Sequence, residues 1–307
     1  MPYWTDMVSP GMRRPSVFSG GVLQIWITRA CDKACFHCTQ GSNLGGNPGI
    51  ISLEQFETAC KSLRDYFGVV GMFGGNPAMH PKFADLCKIM QKHVPFDRRG
   101  LWCNNLLGKG AIARETFNPA VSNLNVHLDQ VAFDEFKRDW PEARPFGLDQ
   151  DSRHSPPYVA LKDVITSREV REGLIASCDI NKYWSAMIGV FRGELRGYFC
   201  EIAGAQSMLH QRNPDYPDTG VEIVEGWWKK SMSAFAEQVE KHCHECGVPL
   251  RGRGELAQSG KVEQVSITHL SIYTPKTKGR EVRVVDEVSQ IDPQALAKFT
   301  DYVGNAK

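Results

Sequence analysis

Apolar residues recur at two alternating periods along the first half of the chain. Gly21 to Thr28, GVLQIWIT, is a short, nearly continuous apolar run and predicts a buried strand. From Ser52 the period becomes helical: Leu53, Phe56, Ala59, Cys60, Leu63 and Phe67 form one stripe. Ser52 and Gln55 have capping-box spacing at its start, and Gly68 is its stop signal. Val69 to Phe73 reads as a second strand, closed by GGNP, and Lys82 to His93 as a second helix with Phe83, Leu86, Cys87 and Met90 on one face. Leu101 to Asn105, Leu124 to Leu128, Tyr158 to Ile165 and Ala186 to Val190 predict four more strands, with a short helix through Arg171 before the last. Asp139 to Pro157, rich in Pro, Asp and Arg, predicts a loop. Strand and helix in alternation imply an α/β fold, a parallel sheet with helices outside.

After about residue 178 the pattern changes. Glycine-punctuated strands, a long helix from Val224 to His242 and β-rich sequence from Val262 to Val285 suggest a smaller α+β lobe. The expected division is an N-terminal extension over 1–20, a core over 21–177, a lobe over 178–255 and a β-rich tail over 256–307 packing on the core, its alternation that of a hairpin.

Composition narrows the class. The 307 residues are 42% hydrophobic and 23% charged, enough for one large domain with an appendage. Basic and acidic residues number 36 and 35, so there is no strong nucleic-acid signal and no polybasic membrane patch. No run approaches the length of a membrane span, and the first twenty residues have no apolar core of a secretory signal. Ten cysteines without an export signal point to the reducing cytoplasm, where thiols hold metals or do chemistry more often than they form disulfides.

Three of them stand in RACDKACFHCTQG, as Cys31, Cys35 and Cys38, directly after the first strand. Soft thiolates at this spacing suit three irons of a [4Fe–4S] cluster, and also suit zinc. Three ligands leave one iron open to a cosubstrate. This loop resembles the cysteine motif of the radical S-adenosylmethionine (radical SAM) superfamily. There the amine and carboxylate of SAM chelate the open iron. One electron from the cluster breaks the sulfonium bond, and a 5′-deoxyadenosyl radical abstracts hydrogen from the substrate. The resemblance implies a partial (β/α)6 TIM-like barrel. His37 stands where the family has an aromatic residue on the adenine side of SAM. Gly74, Gly75, Asn76 and Pro77, followed by His80 and Pro81, resemble the family's Gly-Gly-Glu-Pro turn, whose backbone groups hold the methionyl ammonium; Asn76 replaces the usual Glu. Asn104 and Asn105 match its third-strand turn. His127 and Asp129, two apart and so on one face of the fourth predicted strand, match its ribose-facing positions, with a buried core role the other reading of His127. Arg138 and Arg153 are candidates to meet the SAM carboxylate, or ordinary surface arginines.

A second set, Cys178, Cys200, Cys243 and Cys246, lies in the lobe. Cys200 ends FRGELRGYFC and KHCHECG supplies a Cys-x2-Cys pair, an order similar to the twitch extension, the shorter relative of the SPASM domain. That resemblance implies one auxiliary [4Fe–4S] cluster with four cysteine ligands. Four-cysteine zinc is the alternative, to which His242 and His244 add weight. Cys60, Cys87 and Cys103 read as core residues.

The reading that follows is an oxidoreductase or radical bond-forming enzyme acting on a polar, sugar- or nucleotide-like small molecule. The auxiliary cluster would transfer electrons, and a flavodoxin- or ferredoxin-type donor would supply them. Peptide modification of the RiPP-maturase type is the alternative, lowered because only about twenty residues precede the first strand, against the ~50 of a small leader-binding domain. A non-catalytic iron–sulfur or zinc protein is the third. Trp184, Arg192, Glu194, Arg196, Tyr198 and Glu201 are the first candidates to line a cavity between the clusters.

Overall fold

The computed structural model describes residues 21–178 and 186–286. The N-terminal extension, Trp184 and residues 287–307 lie outside the described residues. Strand β1 (Val22–Thr28) lies at the middle of a six-stranded sheet of order β3-β2-β1-β5-β6-β7, with β2 Val69–Gly74, β3 Arg99–Leu101, β5 Ala186–Phe191, β6 Glu194–Tyr198 and β7 Val221–Glu222. It pairs parallel to β2 and to β5, and β2 pairs parallel to β3. The β5–β6 and β6–β7 pairs are antiparallel.

Alternation along β1 sets its two faces. Leu23, Ile25 and Ile27 enter the main core with Phe56 of helix α1 (Leu53–Ser62) and Phe83 of helix α2 (Phe83–His93). Trp26 faces the other way and packs with Phe73, Met187 and Met208, beside Trp102.

The two helix predictions hold in type. Ser52 caps α1 as a capping box: its hydroxyl accepts from Gln55 N at 3.0 Å, and the Gln55 side-chain Oε1 accepts from Ser52 N at 3.0 Å. The helix stops at Ser62, short of Gly68, because Tyr66 turns into the core and donates its hydroxyl to the Gly21 carbonyl. Phe67, expected on the stripe, is 60% exposed.

The strand predictions need more correction. Among the described residues the sheet is open, and the expected six-strand barrel succession is not formed. The third predicted strand ends at Leu101. Beyond it the β3 edge is prolonged by two isolated parallel bridges, Trp102 with Asn123 and Asn125 with Phe146. The fourth strand gives way to a turn, since His127 and Leu128 have φ of 51° and 66°, which no strand accommodates. The Asn125 side-chain Oδ1 accepts from His127 N at 3.0 Å, offering the backbone that turn in place of a ladder. His127 and Asp129 therefore do not share a strand face; Asp129 caps helix α4 (Gln130–Asp139), which follows the shorter α3 (Gly110–Thr116). The fifth predicted strand winds into helix α5 (Leu161–Val164), ahead of α6 (Arg168–Ala176). The sixth is β5.

After β6 comes α7 (Glu201–His210). The long helix expected from Val224 begins only at Met232: Gly226 takes the left-handed conformation and Lys230 is extended. It ends in a π-helical turn, Val239–Cys243. The tail forms no hairpin. Strands β9 (Val262–Val265) and β10 (Glu281–Val284) pair parallel, with helix α8 (Ile267–Leu270) between them. Earlier in the chain β4 (Arg153–His154) and β8 (Glu255–Leu256) make an antiparallel ribbon. The main sheet runs across residue 178, the boundary suggested between core and lobe, because β5 pairs with β1. No helix among the described residues is long and apolar enough to cross a membrane.

Candidate active site

The cysteine loop begins where β1 ends, at the C-terminal ends of the parallel strands. Backbone bonds hold it to the turn after β2: Gly75 N donates to Thr28 O at 2.8 Å and Asn76 N to Ala30 O at 2.7 Å. This closeness requires the glycines. A Cβ on Gly74 would lie 2.1 Å from Thr28 O, and one on Gly75 2.4 Å from Ala30 O. Those two amides are thus spent on the loop, and an ammonium, itself a donor, would call on the carbonyls of the turn instead. Arg29 closes the far side. Its guanidinium donates to the carbonyls of Gly41, Leu44, Gly45 and Asn47 at 2.6–3.0 Å.

Asp32 is the polar knot of the loop. Its carboxylate accepts from the side-chain amides of Asn104 (2.9 Å), Asn105 (2.7 Å) and Asn76 (3.2 Å). Asn76 also accepts from Ala78 N at 3.0 Å and is fully buried. It therefore ties three turns together and does not line the cavity beside the thiols. Pro77 begins the short 3-10 turn behind it.

Cys31, Cys35 and Cys38 all border one cavity of about 180 Å³, together with Gly74, Gly75, Asn104 and His127. Burial, with Cys38 and Asp32 alongside, pushes the Cys31 thiol up to about 12 and raises Cys35 likewise. Thiolates placed there need a cation beside them. The cavity wall also carries buried polar atoms without partners: both amide atoms of Gln40, the Ser42 hydroxyl and His127 Nδ1. A polar ligand would satisfy them. Burial and the neighbouring His154 lower the His127 imidazole to about 4, so it is neutral at pH 7.

Two of the expected SAM contacts stand elsewhere. His37 is buried under the tail: its Nδ1 donates to His154 O at 3.1 Å and its Nε2 accepts from Gln264 N at 3.2 Å. Asp129 accepts from Ala132 N at 3.0 Å and pairs with Lys33, outside the cavity wall. Arg138 pairs with Asp139 on the surface, and Arg153 donates to Gly254 O at 2.5 Å. Asn125, a candidate from the NVHLD stretch, is on the cavity wall. Sequence reasoning passed over Gln40, Ser42, Trp102, Asn123 and His154, also on that wall. The run TQGS directly after Cys38 was the available signal for the first two; His154 comes from a loop with no pattern. Cys103 joins the wall, whereas Cys60 and Cys87 are fully buried in the core.

The second cysteine set also converges. Cys178 follows α6, Cys200 is the N-cap of α7, Cys243 ends the π-helical turn, and Cys246 lies in the loop beyond. All four border a small cavity of about 20 Å³ walled by Ile175, Phe199, Ile202, Val248 and Pro249. Burial, with Cys178 nearby, raises the Cys200 thiol and pushes Cys246 up to about 12. Both nitrogens of His242 are engaged, Nε2 with Thr219 Oγ1 at 2.8 Å and Nδ1 with Gln206 Oε1 at 3.2 Å. His244 Nδ1 accepts from Arg171 at 3.4 Å and its Nε2 faces Glu240 at 3.8 Å. Neither histidine supplies the zinc ligation that the sequence allowed.

Among the described residues no three His, Cys, Asp or Glu side chains close on one point as ligands of a single ion. A four-iron cube binds each thiolate at a separate iron, so its ligands stand farther apart than those of one tetrahedral ion. Each set gathers thiols around its own cavity, a donor chemistry that suits such a cube.

Of the other candidates, Glu201 borders the first cavity and accepts from Gln24 Nε2 at 2.6 Å. Tyr198 is buried in the core, Arg196 pairs with Asp218, Arg192 donates to the carbonyls of Asn213 and Tyr216, and Glu194 is exposed.

No protein family matches the chain, and no curated protein does. Among solved structures it is similar to the crystal structure of BtrN in complex with AdoMet and 2-DOIA, at 13% identity over 74% of this chain and 92% of that one, with a TM-score of 0.42.

Proposed function

We propose that the chain is a radical SAM enzyme acting on a polar small molecule, sugar- or nucleotide-like, with an auxiliary [4Fe–4S] cluster for electron transfer. One observation carries the reading. Three thiols spaced as in that superfamily border a single polar cavity at the C-terminal ends of parallel strands, opposite a glycine turn that fits against their loop. Cys31, Cys35 and Cys38 would hold the first cluster, and Cys178, Cys200, Cys243 and Cys246 the second. Held there, a cluster would supply the single electron that reductive cleavage of SAM requires, the chemistry by which hydrogen would be taken from the substrate.

The chain's own residues do the rest. Arg29 gathers the segment after the cysteine loop, and Asp32 holds the loop against the turns after β2 and β3. Gln40, Ser42 and the neutral His127 offer hydrogen bonds to a polar ligand. Trp26, Phe73 and Met208 pack against one another, and Phe73 gives the cavity part of its apolar wall. The apolar wall of the second cavity suits electron storage without ligand exchange. An external flavodoxin- or ferredoxin-type protein would deliver the electron.

Anaerobic reconstitution tests the reading. Native protein is expected to carry about eight irons per chain and to release 5′-deoxyadenosine from SAM under strong reductant. Replacing Cys31, Cys35 and Cys38 by Ala should leave about four irons and end SAM cleavage. Replacing Cys243 and Cys246 should remove the other four while SAM cleavage survives, with circular dichroism checking the fold of each variant. Zinc in the second site, or SAM left intact by an eight-iron protein, would overturn the corresponding part.

A further inference from the structure

The ribbon of β4 and β8 lies over the cysteine loop, and one side chain just beyond it meets a thiol. Phe36 N donates to Ala257 O at 2.8 Å, so the chain after β8 is bonded to the loop between Cys35 and Cys38. Asp151 pins the next two residues. Its carboxylate accepts from Gln258 N at 3.0 and 3.1 Å, from Ser259 N at 2.9 Å and from Ser259 Oγ at 3.0 Å. Gly260 N then returns to Leu256 O at 3.0 Å, and a Cβ at Gly260 would lie 2.9 Å from the Phe36 ring. With its backbone held on both sides, Gln258 reaches Cys35: Nε2 donates to Sγ at 2.9 Å.

We infer that Gln258 is a positioning residue that tunes the SAM-binding cluster, its amide donating to the Cys35 sulfur and raising the cluster's reduction potential. The inference rests on the cluster reading above. A donor at a ligand sulfur draws charge from it and so favours the reduced, more negative cluster. At Cys31 the side-chain neighbour is an acceptor instead, Asn104 Oδ1 at 3.9 Å from the sulfur. The contact bridges 223 residues of sequence, so the tail, not the cysteine motif, supplies it.

Gln258→Met keeps the length and removes the donor; Gln258→Glu keeps the shape and replaces N–H by oxygen. The measurement is a redox titration followed by electron paramagnetic resonance, reading the signal that changes when SAM is added, alongside iron content and circular dichroism. The expected result is a midpoint shifted to more negative potential in both variants, with iron and fold unchanged. A midpoint equal to that of the parent protein, with iron retained, would overturn the inference alone. Loss of iron from a folded variant would also overturn it, making Gln258 a structural clasp. A parent protein with no SAM-responsive cluster would overturn the cluster reading and this inference with it.

Discussion

Asn76 shows how one residue's role depends on its neighbours. The family resemblance places a Glu at this position, so its introduction looks harmless from sequence. In the structure the Asn76 amide donates to Asp32 and to Asn105 Oδ1 at a fully buried position. Asn76→Glu would set a second carboxylate against Asp32 and remove both donors. The expected cost is about 3 kcal/mol in urea-monitored stability, with loss of iron from the first site. Asp32→Asn in the same chain should restore part of the stability by removing the repulsion; equal instability of single and double variants would show that the two side chains do not interact. Gly75 is constrained by shape in place of charge. Gly75→Ala pushes a methyl to 2.4 Å from Ala30 O and should cost about 1–3 kcal/mol in backbone strain, read as a lower thermal midpoint.

The cysteine loop depends as an element on Arg29. Its guanidinium meets four carbonyls between residues 41 and 47, and an alanine there would leave those carbonyls without the donor. Arg29→Ala is expected to make that segment cleavable in limited proteolysis and to destabilise the chain by about 3 kcal/mol. Arg29→Lys should rescue little, since one ammonium cannot span the fork. Elements were legible in the sequence where a single period and a local cap decided them. Ser52 with Gln55 marked α1, the Phe83, Leu86, Cys87, Met90 stripe marked α2, and the apolar run at Val22 marked β1. They were illegible where side chains offered the backbone another partner. Asn125 draws residues 124–128 into a turn, and Gly226 with Lys230 splits the long helix. The thiols of the candidate site could be read from spacing. The wall around them could not, since Gln40, Trp102, Asn123 and His154 come from four separate loops.

At the scale of the whole molecule, buried imidazoles set the acid limit. His210 stacks on Tyr216 at 4.5 Å and its Nε2 lies 3.0 Å from His269 Nδ1. Burial first, then His269, lowers it to about 4; Glu245 opposes the shift, and Lys241 and Lys162 add to it. Its folded value lies below the ordinary 6.5, so the unfolded chain takes up the proton first as pH falls. The stability this neutral group confers is intact above pH 6.5 and declines between 6.5 and about 4, with a limiting slope of about 1.4 kcal/mol per pH unit. Thermal midpoints across that window should fall, and His210→Asn should flatten the fall; parallel curves for the two proteins would remove His210 from the account. The tail adds a limit of another kind, in time. Arg280 donates to Ala34 O at 2.5 Å and to Glu263 at 2.6 Å, while Glu263 holds His37 N and Asn43, so the cysteine loop is sealed by residues up to 246 positions downstream. During synthesis at roughly 5–20 residues per second, the thiols emerge on the order of 10–50 s before their cover exists. On the cluster reading, iron delivered in that interval would meet a loop not yet bonded to Arg280 and Gln258.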